Sequence, residues 1–219
     1  MSAGPGGAGG YRPLPTDLAR LLHDVRGPLN SLTMHLQVLK RTAADDAIAE
    51  DSLRTVQAQL ARLAEMLPVA FNLCALELGT VGPVELGGVM EAARDQAGGS
   101  VTLANPTWPS VRGDAPLLTL ALGHLLRNAV EATPPGRPWP MASAKKAGAE
   151  TIIEVRDWGT GLKVTDPKLL IKLMHSSKPG HQGVGLVTVE RVTRLHGGTL
   201  GFESPAEGGA VVTLALPSA

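Results

Sequence analysis

His23 opens the run H-D-V-R-G-P-L-N in a stretch whose leucines and valines recur every three and four residues. That spacing displays a nucleophilic imidazole on the shoulder of an apolar helix seam, where a partner domain can reach it without unpacking the helix. Three further motifs carry chemistry. Asn128, in H-L-L-R-N-A-V-E-A-T, offers an amide oxygen suited to a hard cation such as Mg²⁺ shared with phosphates. Asp157 begins D-W-G-T-G just after the β-branched run T-I-I-E-V. There Gly159 and Gly161 let the backbone lie flat against a planar ligand while the carboxylate accepts from an amino group such as that of adenine. In K-P-G-H-Q-G-V-G-L, Gly180, Gly183 and Gly185 precede a helical pattern, so bare backbone amides and a helix N-terminus converge on a point that attracts phosphate. Lys178 stands at its entrance. Taken singly, each motif has a plainer reading: a buried hydrogen-bonding Asn, an ordinary turn, a solvated lysine.

The elements that must position these groups follow from periodicity. Leu18, Leu22, Val25, Leu29, Leu32, Leu36 and Leu39 form an unbroken heptad alternation and predict a helix from about Thr16 to Arg41. Pro28 inside it removes a backbone donor and predicts a bend beside the histidine. Leu53, Val56, Leu60, Leu63 and Leu67 predict a second, antiparallel helix. One hairpin cannot bury the apolar stripe of both helices, so the pattern predicts a homodimer through residues 16–78, a dimeric four-helix bundle. Heptads give way to G-T-V-G-P at residues 79–83, the expected domain boundary. Beyond it the sequence predicts a helix over Leu86–Gln96, a strand over Val101–Leu103 and a helix from near Asp114. The strand T-I-I-E-V, a helix from about Val184 to His196 and two closing hairpin strands complete an α+β fold whose open sheet carries helices on one face.

Composition narrows the function classes. Lys plus Arg and Asp plus Glu number 20 each, so no net field recruits nucleic acid. The single Cys74 sits in an apolar run and suits a reducing, cytoplasmic compartment. No window approaches the roughly 18 apolar residues of a membrane span. The glycine-rich residues 1–15 read as a disordered tail. His35, His175, His181 and His196 lack metal-ligand spacing as a set.

Together these motifs resemble the catalytic core of two-component sensor histidine kinases: a dimerisation and phosphotransfer hairpin (residues 16–78) followed by an α+β sandwich ATP-binding domain of the GHKL, or Bergerat, type (residues 79–219). His23 to Asn30 match the H-box, with Arg26 and Pro28 also in place, and Asn128 the N-box. Asp157, Gly159 and Gly161 match the G1 box, and Gly183, Val184, Gly185 and Leu186 the G2 box. The resemblance implies that His23 attacks the γ-phosphate of ATP and passes the phosphoryl group to an aspartate on a response-regulator receiver docked near it. Asp24, at the family's acidic position, orients the ring and accepts its proton. It further implies Mg²⁺ held by Asn128, Lys178 near the phosphates, and Thr213 of the closing hairpin near the adenine.

Four positions depart from the pattern. His124 replaces the usual Asn four residues before Asn128, as in chemotaxis-type kinases, and Ile171 stands where Phe often packs. Glu131 replaces a common Lys, implying a weaker hold on ATP. Gly27 lacks the side chain with which bifunctional relatives position a water, so the resemblance implies weak or absent phosphatase activity. Two other readings compete. One is a dimeric histidine phosphotransferase whose degenerate ATP domain serves only for docking, and the other is a nucleotide-responsive scaffold or ATPase of the wider GHKL family.

Overall fold

A computed structural model describes residues 16–41, 46–162, 170–171 and 184–219, without the side chains of residues 16–24, Lys40 and Asp46. The chain divides into two compact units, Met1–Glu65 and Met66–Ala219.

Two helices make the first unit, α1 (Thr16–Arg41) and α2 (Asp46–Cys74), the latter running on into the second unit. The heptad positions split between two faces. Leu32, Val56 and Leu63 are buried together, with Val25 and Leu39 packed beside them. The intervening members Leu29, Leu36, Leu53 and Leu60 remain 48–53% exposed. Alternate seam positions on a helix point about 50° apart. The hairpin therefore buries one row internally and leaves the other outside. Helix α1 continues through Pro28, which is itself buried, and α2 continues through Pro68.

The second unit contains β1 (Gly82–Glu85), α3 (Leu86–Gln96), β2 (Thr102–Leu103), β3 (Ser110–Gly113), α4 (Ala115–Ala132), β4 (Met141–Ala147), β5 (Glu150–Arg156), α5 (Gly185–Leu195), β6 (Thr199–Glu203) and β7 (Val211–Pro217). Strands β1 and β3 form an antiparallel pair, and a five-stranded sheet runs β2-β4-β5-β7-β6, parallel only between β2 and β4. Alternation fixes the faces. Thr151, Ile153 and Val155 of β5 are fully buried, as are Ala142, Ala144, Leu214 and Leu216 of its neighbours. They meet Leu118, Leu122, Leu125 and Leu126 of α4 and Val189 and Val192 of α5 in one core. On the opposite face, Lys145 pairs with Glu154, and Arg156 with Glu207. Among the described residues, α4 and α5 pack on the same face of this sheet. The expected strand at Val101 starts one residue later, because the Val101 amide closes a turn on Gly99 O. No helix among the described residues is long and apolar enough to cross a membrane.

A buried polar junction locks α4 to α5. Asp114 caps α4, its Oδ1 accepting from Leu117 N (3.0 Å), while its own N–H donates to His196 Nε2 (2.9 Å). His196 Nδ1 lies 2.8 Å from Val192 O, so the ring adopts the Nδ1–H tautomer and uses both nitrogens. The neighbouring Gly113 admits no side chain, since a Cβ there would stand 2.7 Å from His196 Cδ2. His196→Ala leaves the Asp114 amide buried without its acceptor and opens a cavity. It should cost about 2–4 kcal/mol, read as a lowered urea midpoint with an unchanged m-value.

Candidate functional site

The site grows from the end of β5. Asp157 follows its last residue, and Asp157 Oδ1 accepts from Gly159 N (2.9 Å) and Ala210 N (3.0 Å). The Asp157 amide in turn donates to Ala210 O (2.9 Å), and Gly209 N donates to Gly159 O (3.1 Å). The start of β7 is thus stitched to the D-W-G turn. Gly209 is required: its φ is +76°, and a Cβ would meet Asp157 O at 2.0 Å. Gly159 is equally constrained, since a Cβ there would lie 2.5 Å from Ala132 O at the end of α4. Gly161 carries φ +75°. With both hydrogen bonds on Oδ1, Asp157 Oδ2 has no hydrogen-bond partner among the described residues and is available to an external donor.

Trp158 fastens the turn from outside. Its amide donates to Thr133 Oγ1 (3.2 Å), its indole N–H donates to Trp139 O (3.1 Å), and the Arg156 guanidinium lies 4.3 Å from its ring centre. Through Gly159 and Thr133 the Asp157 turn meets the C-terminus of α4, one helical turn beyond Asn128.

Asn128 is half-buried, and its carboxamide makes no hydrogen bond to a described residue. It faces Gly185: a Cβ built at Gly185 would stand 3.4 Å from Asn128 Nδ2, 3.6 Å from Oδ1 and 3.7 Å from His124 Nδ1. His124 lies one turn earlier on the same stripe of α4. Gly185 opens α5, and Val184 at the N-cap supplies no side-chain hydrogen bond. The first amides of α5 therefore lack a side-chain cap beside the Asn128 amide oxygen, and Leu186 packs into the core behind them. A carboxamide oxygen and uncapped helix amides fit a phosphate-bound hard cation. Among the described residues no three His, Cys, Asp or Glu side chains gather to hold a metal by themselves.

The structure thus brings Asp157, Gly159 and Gly161 to one end of α4, and Asn128, Val184, Gly185 and Leu186 to the meeting of α4 with α5. Thr213 pairs with Glu154 and Gly201, on the face of β7 opposite core-facing Val212 and Leu214, and the residue beside this strand that reaches Asp157 is Ala210. A period of two carries every second residue away from the helices. Ala210 escaped sequence reasoning because it acts through its backbone. Lys178 and Gly183 lie outside the described residues. His23 and Asp24 lie on α1, their side chains outside the description.

Residues 113–219 match the family described as histidine kinase-, DNA gyrase B-, and HSP90-like ATPases. The chain is 27% identical over 207 residues to the sensor protein DivL of Caulobacter vibrioides, covering 89% of this chain and 27% of DivL. It is 26% identical over 208 residues to sporulation kinase B of Bacillus subtilis, covering 91% of this chain and 49% of that kinase. The chain therefore spans about a quarter and about half of these curated relatives' lengths. Among solved structures, the mycobacterial sensor histidine kinase MprB superposes with a TM-score of 0.53 at 25% identity, over 64% of this chain and 98% of that one.

Burial, and secondarily the nearby Arg127, lower the His124 pKa below its ordinary 6.5. The unfolded chain then binds this proton at a higher pH than the folded one. The associated stability is complete above pH 6.5 and is lost as the pH falls through the folded value. Chemical denaturation of wild type and His124→Asn on either side of pH 6.5 should show the variant losing less stability on acidification. Parallel losses would place the burden on other groups.

Proposed function

We propose that this chain, a member of the two-component sensor histidine kinase family with a GHKL ATP-binding domain, is an ATP-dependent protein-histidine kinase that phosphorylates its own His23. The observation that carries the reading is Asp157. Its Oδ1 is consumed by two backbone amides and its Oδ2 meets no partner among the described residues, the arrangement a carboxylate needs to accept from the exocyclic amine of adenine. A domain kept only for docking has no use for a carboxylate so held, which disfavours the phosphotransferase reading.

In this reading Gly159 and Gly161 let the ring approach the backbone, and the open amides of α5 at Gly185, with Gly183 and Lys178, receive the phosphates. Asn128 Oδ1 holds Mg²⁺, which neutralises charge on the phosphate oxygens. One imidazole nitrogen of His23 attacks the γ-phosphorus. The bond from phosphorus to the bridging oxygen breaks, and ADP leaves with that electron pair. Asp24 orients the ring and takes its proton. The acceptor of the next transfer is an aspartate on a response-regulator receiver docked near His23. Glu131 places a negative charge near this end of α4 and weakens the hold on ATP. ATP as donor and the unpaired Cys74 thiol suit a cytoplasmic location.

A homodimer follows from the outer row of the hairpin. Leu29, Leu36, Leu53 and Leu60 recur at the same spacing as the buried row, and burying their exposed halves would contribute about 1 kcal/mol apiece. A second copy presents the same row and closes a four-helix bundle through residues 16–78, with the ATP-binding domain as residues 79–219.

Two experiments test this reading. With radiolabelled γ-phosphate, wild type should incorporate acid-labile, alkali-stable label, His23→Gln should incorporate none, and Asp157→Ala should lose nucleotide binding by calorimetry. Absent binding to wild type at millimolar nucleotide would overturn the kinase. Separately, Leu29→Glu with Leu60→Glu should convert a dimer into a monomer by light scattering, and a variant that stays dimeric would show the outer row is not the interface.

A further inference from the structure

Within the second unit, the segment leaving α2 is held by two polar contacts that lead, by different routes, to α5. Leu76 O accepts from Arg191 Nη2 at 3.0 Å, and the Leu76 side chain packs against the core. Three residues on, Gly79 N donates to Asp114 Oδ2 at 2.7 Å, and a Cβ at Gly79 would stand 2.9 Å from that same oxygen. Asp114 is 5% exposed, and its amide is held by His196, the C-cap of α5. Arg191 lies in the second half of α5.

The two ends of this helix therefore do different things. Its first residue, Gly185, packs against Asn128 and His124 at the nucleotide end, while Arg191 and His196 hold the linker at the other. A short helix whose core face is fully packed by Val189 and Val192 moves as a rod, so a displacement at one end reaches the other. The linker contacts also stand out chemically. A guanidinium spends a donor on a neutral backbone carbonyl, and a buried carboxylate caps a helix and grips a glycine amide at once. Either carbonyl or amide would be satisfied by water in a linker free to swing.

We propose that α5 couples nucleotide occupancy to the linker. Nucleotide bound at the Gly185 end tightens the hold of Arg191 on Leu76 and of Asp114 on Gly79, so that residues 76–79 present the hairpin in the position that phosphoryl transfer to His23 requires. Arg191 acts here as a positioning residue, through its bond to Leu76 O. The inference rests on the kinase reading and adds to it a route by which the ATP site is felt where the hairpin begins.

Hydrogen exchange on the full chain, with and without a Mg²⁺-bound non-hydrolysable ATP analogue, tests it directly. Nucleotide should slow exchange at the Gly79 amide by about fivefold or more, and Arg191→Ala should abolish that increment. The same variant should keep its analogue affinity within about twofold and its KM for ATP, while kcat for His23 labelling falls about fivefold, with Arg191→Lys recovering part of it. Analogue binding with no change in exchange across residues 76–79 overturns the coupling and leaves the kinase reading intact. So does an Arg191→Ala variant with wild-type kcat. Failure of wild type to bind the analogue overturns the kinase reading, and the coupling with it. Should Arg191→Ala fail to fold, the wild-type exchange comparison alone decides.

Discussion

Asp157 Oδ1 accepts from two backbone amides, that of Gly159 two residues on and that of Ala210 53 positions away, and the local geometry follows from that convergence. Ala210 is placed by β7, whose register against β5 matches Arg156 to Val211. Strand pairing therefore delivers the second amide, and the site exists only once the sheet is assembled. Charge-assisted bonds of this kind are roughly twice as strong as neutral ones. Their further effect is selective, because committing one oxygen leaves the other oriented and, among the described residues, unpartnered. The glycines follow from the same constraint. Where the chain entering β7 passes the Asp157 carbonyl, a Cβ on residue 209 would stand 2.0 Å from that oxygen, so only Gly209 allows the approach, and Gly159 plays the same part against the end of α4.

The hairpin answers a different constraint. Its two helices carry leucine at both seam positions, yet a pair of helices has one shared interface, so one row must remain outside. In a lone soluble chain, leucines about half exposed along both helices are a liability. In a two-fold pair they become the second interface, and the same period that builds the hairpin also specifies its partner.

These constraints explain which parts of the molecule are legible in its sequence. The heptads announce α1 and α2, and the patterns around α3, α4, α5, β5 and β7 set their positions to within a residue or two. Strand β4 is hidden because M-A-S-A-K-K-A, following a proline-rich linker, has little β-branched character. It is recruited by full register pairing with β5. Strands β1 and β3 are four residues each and pair mainly with one another, too short for periodicity to speak. At the site, side-chain chemistry is legible at Asn128 and Asp157. Contributions made by backbone, such as the Ala210 amide, are not. The tie between Arg191 and Leu76 spans 115 positions and leaves no local signature at all.

The two units also differ in what completes them. The second closes its own core, with Leu86, Met90, Val111, Leu118, Leu122 and Ile153 fully buried without help from another chain. Every described element of the nucleotide site lies within it, so ATP recognition depends on the folding of one chain. His23 stands on helices whose outer row of leucines stays about half exposed in this chain. Nucleotide affinity should therefore be indifferent to protein concentration, whereas the phosphoryl transfer proposed above would respond to association. In the kinase proposed above, such a chain would hold ATP while idle, and control of the reaction would fall on the few linker residues between a self-sufficient domain and one that is not.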